Sequence, residues 1–239
     1  MPERAAETSF GRASGWRKRL AGTWLHPLHI ARRSLARVLA RARPHVHGLT
    51  LDLGSGGKRY ESFFPLVSRW VSLDLPSNSA DETGVTVFGS GLCLPFRDGV
   101  FDSVLCTEVL EHVPDPARLV DEAARVLRPG GCLVLTTPQT WGLHEVPHDY
   151  YRYTEYGLRY LAERSGLTVE AVEPTCGIFA TVGQRLSSFL FFEWGGRRPV
   201  VVQGALALAC AAGQLTAAGL DALFRHRGDP LDHMLVARR

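Results

Sequence analysis

The run Asp52-Leu53-Gly54-Ser55-Gly56-Gly57-Lys58 comes directly after an apolar stretch, and Asp74 ends another apolar stretch twenty residues past Gly54. Glycines in such a turn let the backbone approach a ligand, and an acid at the end of the second strand accepts hydrogen bonds from ribose hydroxyls. The pair therefore describes a site for a nucleoside-containing cofactor. A plainer reading of Asp74 is a turn acid that caps the next segment of chain. A second pattern, HEVPH at 144–148, matches the zinc-binding pair of metallopeptidases. That chemistry needs two histidines one turn apart on a helix, with the Glu between them as base. Pro147 has no N–H to give such a helix and biases Val146 toward extended backbone, so the segment is expected to be a loop and no metal is expected there.

From residue 49 short apolar runs alternate with helical patterns, as in βα units built around a mostly parallel sheet. Strands are expected at 49–54, 69–75, 85–91, 101–108, 132–138, 167–173 and 233–239. Helices are expected at 25–42, at 60–68, from Pro114-Asp115 to just before Pro129-Gly130-Gly131, and at 156–165. The fold class is α/β: a Rossmann-like, doubly wound, mostly parallel seven-stranded sheet with an N-terminal helix and a C-terminal helical insert before the last strand. Residues 1–47 form a basic arm and 48–239 a single domain, of which 178–226 is an apolar helical insert.

With LDLGSGG and SLDL in place, three further segments, LPFRDGVFDSVLCTEVLEHVPDP (94–116), RVLRPGG (125–131) and LVLTTP, give a specific ensemble. From about 49 to 175 the chain resembles the class I S-adenosylmethionine-dependent methyltransferases. The resemblance implies that Asp52, Gly54, Ser55 and Gly56 line the methionine moiety and that Asp74, with Leu75 beside it, holds the ribose. It places Ser90, Gly91 and Leu92 along the adenine, and Cys106 and Thr107 near the sulfonium. Two departures stand out: the family's third glycine falls at Lys58, with Gly57 one place early, and the acid that commonly meets the adenine amino group is Ser90 here.

Methyl transfer demands alignment, close approach and exclusion of water. Related bacterial methyltransferases are similar in the segment PHDYYRYT (147–154), which forms part of their acceptor-side wall. If the acceptor is a hydroxyl, a histidine is the usual base. His148 is one candidate and His112 another; the plainer readings are a loop-shaping hydrogen bond for His148 and a capping arrangement for Glu111-His112. Tyr150, Tyr151 and Tyr153 would either stack on the acceptor or anchor a lid.

The 239 residues are 45% hydrophobic and 21% charged, ordinary globular material. Five cysteines without a C-x-x-C pair suggest a reduced, cytoplasmic protein with thiols in the core. Charge is uneven: residues 1–47 hold ten Arg/Lys against two Glu, leaving 17 basic and 22 acidic residues in the remainder. Such an arm suits anionic partners, and its Arg-rich character also resembles a transit peptide, but a helix packed on its own domain is preferred; no secretory signal pattern is visible. Residues 199–220 carry no charge, a run long enough to cross a bilayer. A buried helix or one lying on a membrane surface is preferred, because a span would part the last strand from its sheet. The expected acceptor is a small molecule, hydrophobic or lipid- or saccharide-linked. Peripheral membrane contact through 178–226 and the basic arm is an added expectation, and oligomeric state is left open. No nucleic acid is expected: after the fourth strand stands Cys106-Thr107-Glu108-Val109, not a base-flipping motif of the N/D-P-P-Y/F kind. The rival from another class is a non-catalytic S-adenosylmethionine-binding module.

Overall fold

The computed structural model describes residues 23–56, 60–76, 84–195, 198–224 and 228–239. These fall into two compact units, one of residues 37–139, 150–173 and 232–239, the other of the described residues within 1–36, 140–149 and 174–231. The first is built on a seven-stranded sheet.

Its strands are β1 (Gly48–Leu53), β2 (Val67–Asp74), β3 (Val87–Phe88), β4 (Phe101–Thr107), β5 (Leu127–Pro138), β6 (Thr168–Pro174) and β7 (Asp232–Arg238), in the order β3-β2-β1-β4-β5-β7-β6. The pairs β1–β2, β1–β4, β2–β3 and β4–β5 are parallel, and β7 runs antiparallel to β5. Strands covered on both faces lose the usual alternation. In β4 every residue but Asp102 is buried, and β5 is buried from Gly131 to Pro138. Strand order reverses at β1, whose neighbours are β2 and β4. The crevice beyond the carboxyl ends of these strands is where an open α/β sheet takes its ligand.

Helix α2 (Pro116–Val126) starts where sequence predicts, with Pro116 at its first position and the Asp115 carboxylate accepting from Arg118 N at 3.0 Å. Leu119, Val120, Ala123 and Ala124 form its buried stripe. It ends at Val126, earlier than expected, because Leu127 is already extended and pairs with Phe101 in β4. The expected helix at 60–68 is a correction. Only Glu61–Phe63 make a 3-10 turn, and Val67 and Ser68 open β2. Pro65 is the cause: it offers no N–H and pushes Phe64 out of the helical region, to φ −118° and ψ 81°. The strand expected at 85–91 shrinks to Val87–Phe88. Helix α3 (Glu155–Arg164) is capped by Thr154, whose hydroxyl accepts from Gly157 N at 3.2 Å.

Helix α1 (His29–Ala42) begins at residue 29, not 25, since 23–28 is a succession of turns. Val38, Leu39 and Ala42 are buried and Arg32, Arg33, Arg37 and Arg41 exposed, the split its spacing predicts. The second unit contains α4 (Ile178–Ser188), a π-helical turn Phe189–Trp194 and α5 (Val200–Phe224). Two buried glutamines hold it together: Gln214 accepts from Ile30 N and donates to His26 O, and Gln184 accepts from Ala31 N and donates to Pro27 O. The Asp221 carboxylate accepts from Gly177 N and Ala180 N, so an anion from α5 caps the positive end of α4. Of the five cysteines, four are buried as expected and Cys93 is exposed.

Arg125 makes most of the side-chain bonds to the loop 92–98. Arg125 donates to both oxygens of Glu122 (2.8 and 2.9 Å), to Asp98 (2.6 Å), and to the carbonyls of Phe96 and Leu94 (2.8 and 3.1 Å). Glu122 in turn accepts from Leu94 N at 2.7 Å, and these bonds hold its carboxyl below the usual range. Arg125→Met leaves Glu122 buried with only the longer cation contact, Arg118 at 3.6 Å. We expect it to lower unfolding free energy by about 2–3 kcal/mol, measured by urea denaturation, whereas Arg118→Met on the exposed side costs under about 1 kcal/mol.

Candidate functional site

At the switch point Asp52 is 1% exposed, and among the described residues neither of its carboxylate oxygens has a hydrogen-bond partner. Burial, with Asp74 and Glu61 as neighbouring negative charges, pushes this carboxyl up to about 7. The Ser55 hydroxyl beside it is also buried and unpartnered among the described residues. Gly54 turns the chain at φ +74°, and a Cβ there would strike the Val109 side chain at 2.4 Å, so no other residue fits. Asp74 closes the turn: its Oδ2 accepts from Gly56 N and its Oδ1 from Leu75 N, each at 2.7 Å. Each oxygen keeps a further lone pair for a ligand hydroxyl. Gly57 and Lys58, where the glycine pattern departs from the family's, lie outside the described residues.

This donor set fits the cofactor implied by the sequence. A buried carboxylate without a partner calls for a cation, which the ammonium of a methionine moiety supplies, and Asp74 is placed to accept from a ribose. The next rim segment is ordered locally: Ser90 Oγ accepts from Leu92 N at 3.2 Å, and Leu92 O accepts from Arg118 Nε at 3.1 Å. A Cβ on Gly91 would meet Leu119 at 3.1 Å. Leu75 is exposed, Thr107 buried at the end of β4. Cys106 belongs to the apolar core, where burial pushes its thiol far up.

Beyond β4 the structure assembles an acidic pair that spacing alone did not single out. Glu108 adopts φ 54°, a rare conformation for a side chain of its size. It is fixed at both ends, since its N–H donates to Thr136 O at 2.9 Å and its Oε1 accepts from Thr136 Oγ1 at 2.7 Å. Glu111, completely buried, accepts from Thr137 Oγ1 at 3.1 Å. Burial raises both carboxyls well above the usual range; the Glu108 charge adds to the rise at Glu111, while Arg152 and the threonine bonds oppose it. Both acids therefore hold their protons to higher pH than an ordinary carboxyl does.

His112 lies in the 3-10 turn Leu110–His112, not at the start of a helix, with Nε2 3.6 Å from Glu111 Oε1. Asp115 is the cap of α2, which corrects the Glu111-His112 capping alternative. The tyrosines of the PHDYYRYT segment are tied to the acidic turn: Tyr150 N and Tyr151 N donate to Glu111 O, and Tyr151 Oη donates to Pro114 O at 3.1 Å. Rings of Tyr150, Tyr151 and Tyr153 succeed one another at 6.2 and 6.0 Å. His144 and His148 belong to the other unit. Their segment is a turn, with His148 N donating to Glu145 O at 3.0 Å, so the helix that paired zinc ligands require does not form. His148 is exposed.

Proteins similar to this chain include methyltransferases. The family described as "Methyltransferase domain" matches residues 51–135. A ubiquinone biosynthesis O-methyltransferase of Xanthomonas axonopodis pv. citri is 33% identical over 142 residues, which are 53% of this chain and 58% of that protein. An uncharacterized methyltransferase of Mycobacterium sp. (strain JLS) is 52% identical over 77 residues, 30% of either chain. The chain thus spans well under two thirds of these relatives. The crystal structure of an S-adenosylmethionine-dependent methyltransferase from Mesorhizobium loti superposes with a TM-score of 0.55 at 19% identity, covering 88% of this chain and 100% of that one, a likeness of fold.

The unpaired Asp52 carboxyl has a measurable consequence. Because its folded pKa is raised, the folded chain holds this proton more tightly than the unfolded chain between about pH 4 and about pH 7. Its contribution to stability is present at low pH and is lost as pH rises through that window. Asp52→Asn is therefore expected to gain stability relative to the parent between pH 5 and pH 8, measured by urea denaturation at each pH. An unchanged difference would show the carboxylate to be paired.

Proposed function

Residues 51–135 match a methyltransferase-domain family, and we propose that this chain is a class I S-adenosylmethionine-dependent enzyme that transfers a methyl group to the hydroxyl of a hydrophobic small molecule. The buried, unpartnered Asp52 carboxylate beside Asp74 at the switch point carries the reading. When bound, the cofactor supplies a methyl group on a sulfonium, activated for in-line displacement. The protein supplies everything else. Asp52 offers its negative charge to the ammonium, Asp74 accepts from the ribose, and the turn at 54–56 admits the methionine portion against backbone.

Glu108 is the group we assign to the acceptor's proton. Thr136 fixes one of its oxygens, and its burial brings it toward a working pH near neutrality. Glu111, deeper and harder to ionise, holds its own proton and keeps the pair from carrying two charges. This differs from the expectation for His148, whose exposure leaves it solvated where a base gains from exclusion of water. The aromatic row Tyr150-Tyr151-Tyr153 forms an apolar wall next to the acids. The Xanthomonas relative, named for O-methylation in ubiquinone biosynthesis, supports an oxygen acceptor on a hydrophobic molecule.

Calorimetry of the protein with S-adenosylmethionine or S-adenosylhomocysteine is the first test, and absence of binding by both would sink the proposal. Asp74→Ala is expected to weaken binding roughly 10–100-fold. Incubation with labelled cofactor and a fractionated cell extract identifies the acceptor, and failure to label any fraction favours the non-catalytic module. With the acceptor in hand, Glu108→Gln is expected to reduce kcat about 10²–10⁴-fold with cofactor affinity kept. Loss of turnover in His148→Ala with Glu108→Gln still active would return the proton to His148.

A further inference from the structure

Helices α4 and α5 bury only one side. On α5 the residues Ala207, Cys210, Ala211, Gln214 and Ala217 face inward, at helical spacing. The other side shows Val201, Leu208 and Leu215, seven residues apart and 84%, 65% and 50% exposed, with Leu223 and Phe224 beyond them. Between them stand alanine, glycine and one threonine, Thr216, whose hydroxyl is turned back on Ala212 O. On α4 and the turn after it, Val182, Leu186 and Phe189 make a second exposed stripe. The helix Val200–Phe224 is long and apolar enough to cross a membrane, yet only 28% of its most apolar window is buried. Water is a poor neighbour for such a surface.

We propose that this unit binds the surface of an anionic lipid bilayer, with α5 lying in the interface. Charge and aromatic placement favour lipid over a second protein. The apolar run is bounded by Arg197 and Arg198 on one side and by Arg225 and Arg227 on the other. The Arg198 guanidinium lies 4.8 Å from the exposed Trp194 ring, a cation–aromatic pair of the kind that suits the headgroup layer. Asp221, the acid nearest the run, is occupied at the start of α4. The buried face argues against a full span. Gln184 and Gln214 are bonded to the backbone of residues 26–31, so that side of the hairpin is covered by polypeptide, and only the outer stripes are free for lipid.

The proposal is independent of methyl transfer, and its test needs no substrate. The full chain is centrifuged with vesicles of phosphatidylcholine alone and of phosphatidylcholine mixed with phosphatidylglycerol. It should pellet with the anionic vesicles and much less with the neutral ones. Leu208→Glu with Leu215→Glu, both on the exposed stripe, should reduce the bound fraction at least about tenfold with an unchanged circular dichroism melt. Arg198→Ser should weaken binding to anionic vesicles and reduce its salt dependence. Retention in the supernatant with both compositions overturns the proposal. So does a stable dimer, seen by light scattering without lipid, that the leucine substitutions dissolve, since the stripe would then be covered by a second copy.

Discussion

A carboxylate sealed from water without a partner among the described residues is the constraint around which the site is built. Asp52 stands at the end of β1, where the strand order reverses and two neighbouring strands diverge. Hydrogen bonds satisfy most buried polar groups, and an isolated buried charge is disfavoured by several kcal/mol or takes up a proton instead. Here the β1 turn aims its backbone N–H groups elsewhere: Gly54 N and Ser55 N both donate to Leu73 O, and Gly56 N donates to Asp74. The turn thus completes its own bonding through β2 and gives Asp52 none of these N–H groups.

The same principle works differently on the next strand. Glu108 and Glu111 are shielded too, but threonine hydroxyls from β5 hold them and Arg152 lowers the electrostatic load. An acid that is shielded yet bonded has a fixed geometry and a raised proton affinity. The rim of one sheet therefore carries a buried acid without a partner among the described residues and a hydrogen-bonded acidic pair, separated by the buried end of β4.

What the sequence revealed was whatever short spacing encodes. Asp52 with Asp74, the start of α2 near Pro114-Asp115 and the stripe of α2 are all local patterns, and so were readable without coordinates. The helix expected at 60–68 failed because Pro65 outweighed the apolar spacing around it, and β3 shortened for no reason visible in its residues. Arg125 lay within a recognised motif, but its partners are carbonyls about thirty residues earlier. Glu108 and Glu111 sat in plain view between β4 and α2. Their protonation depends on Thr136, Thr137 and Arg152, brought near only by the parallel pairing of β4 with β5 and the return of the chain after it. Side-chain chemistry that arises from burial cannot be read from residue type.

Strand β7 lies between β5 and β6, although residues 178–224 intervene between β6 and β7 along the chain. Cys132 is aligned with Arg238 and Thr137 with His233, pairs about a hundred residues apart. Until residues 232–238 have left the ribosome, β5 and β6 each have an open edge, at the same time as an apolar hairpin is emerging. Closure of the sheet is therefore a late event in synthesis, and the open edges and the apolar hairpin are exposed together until it happens.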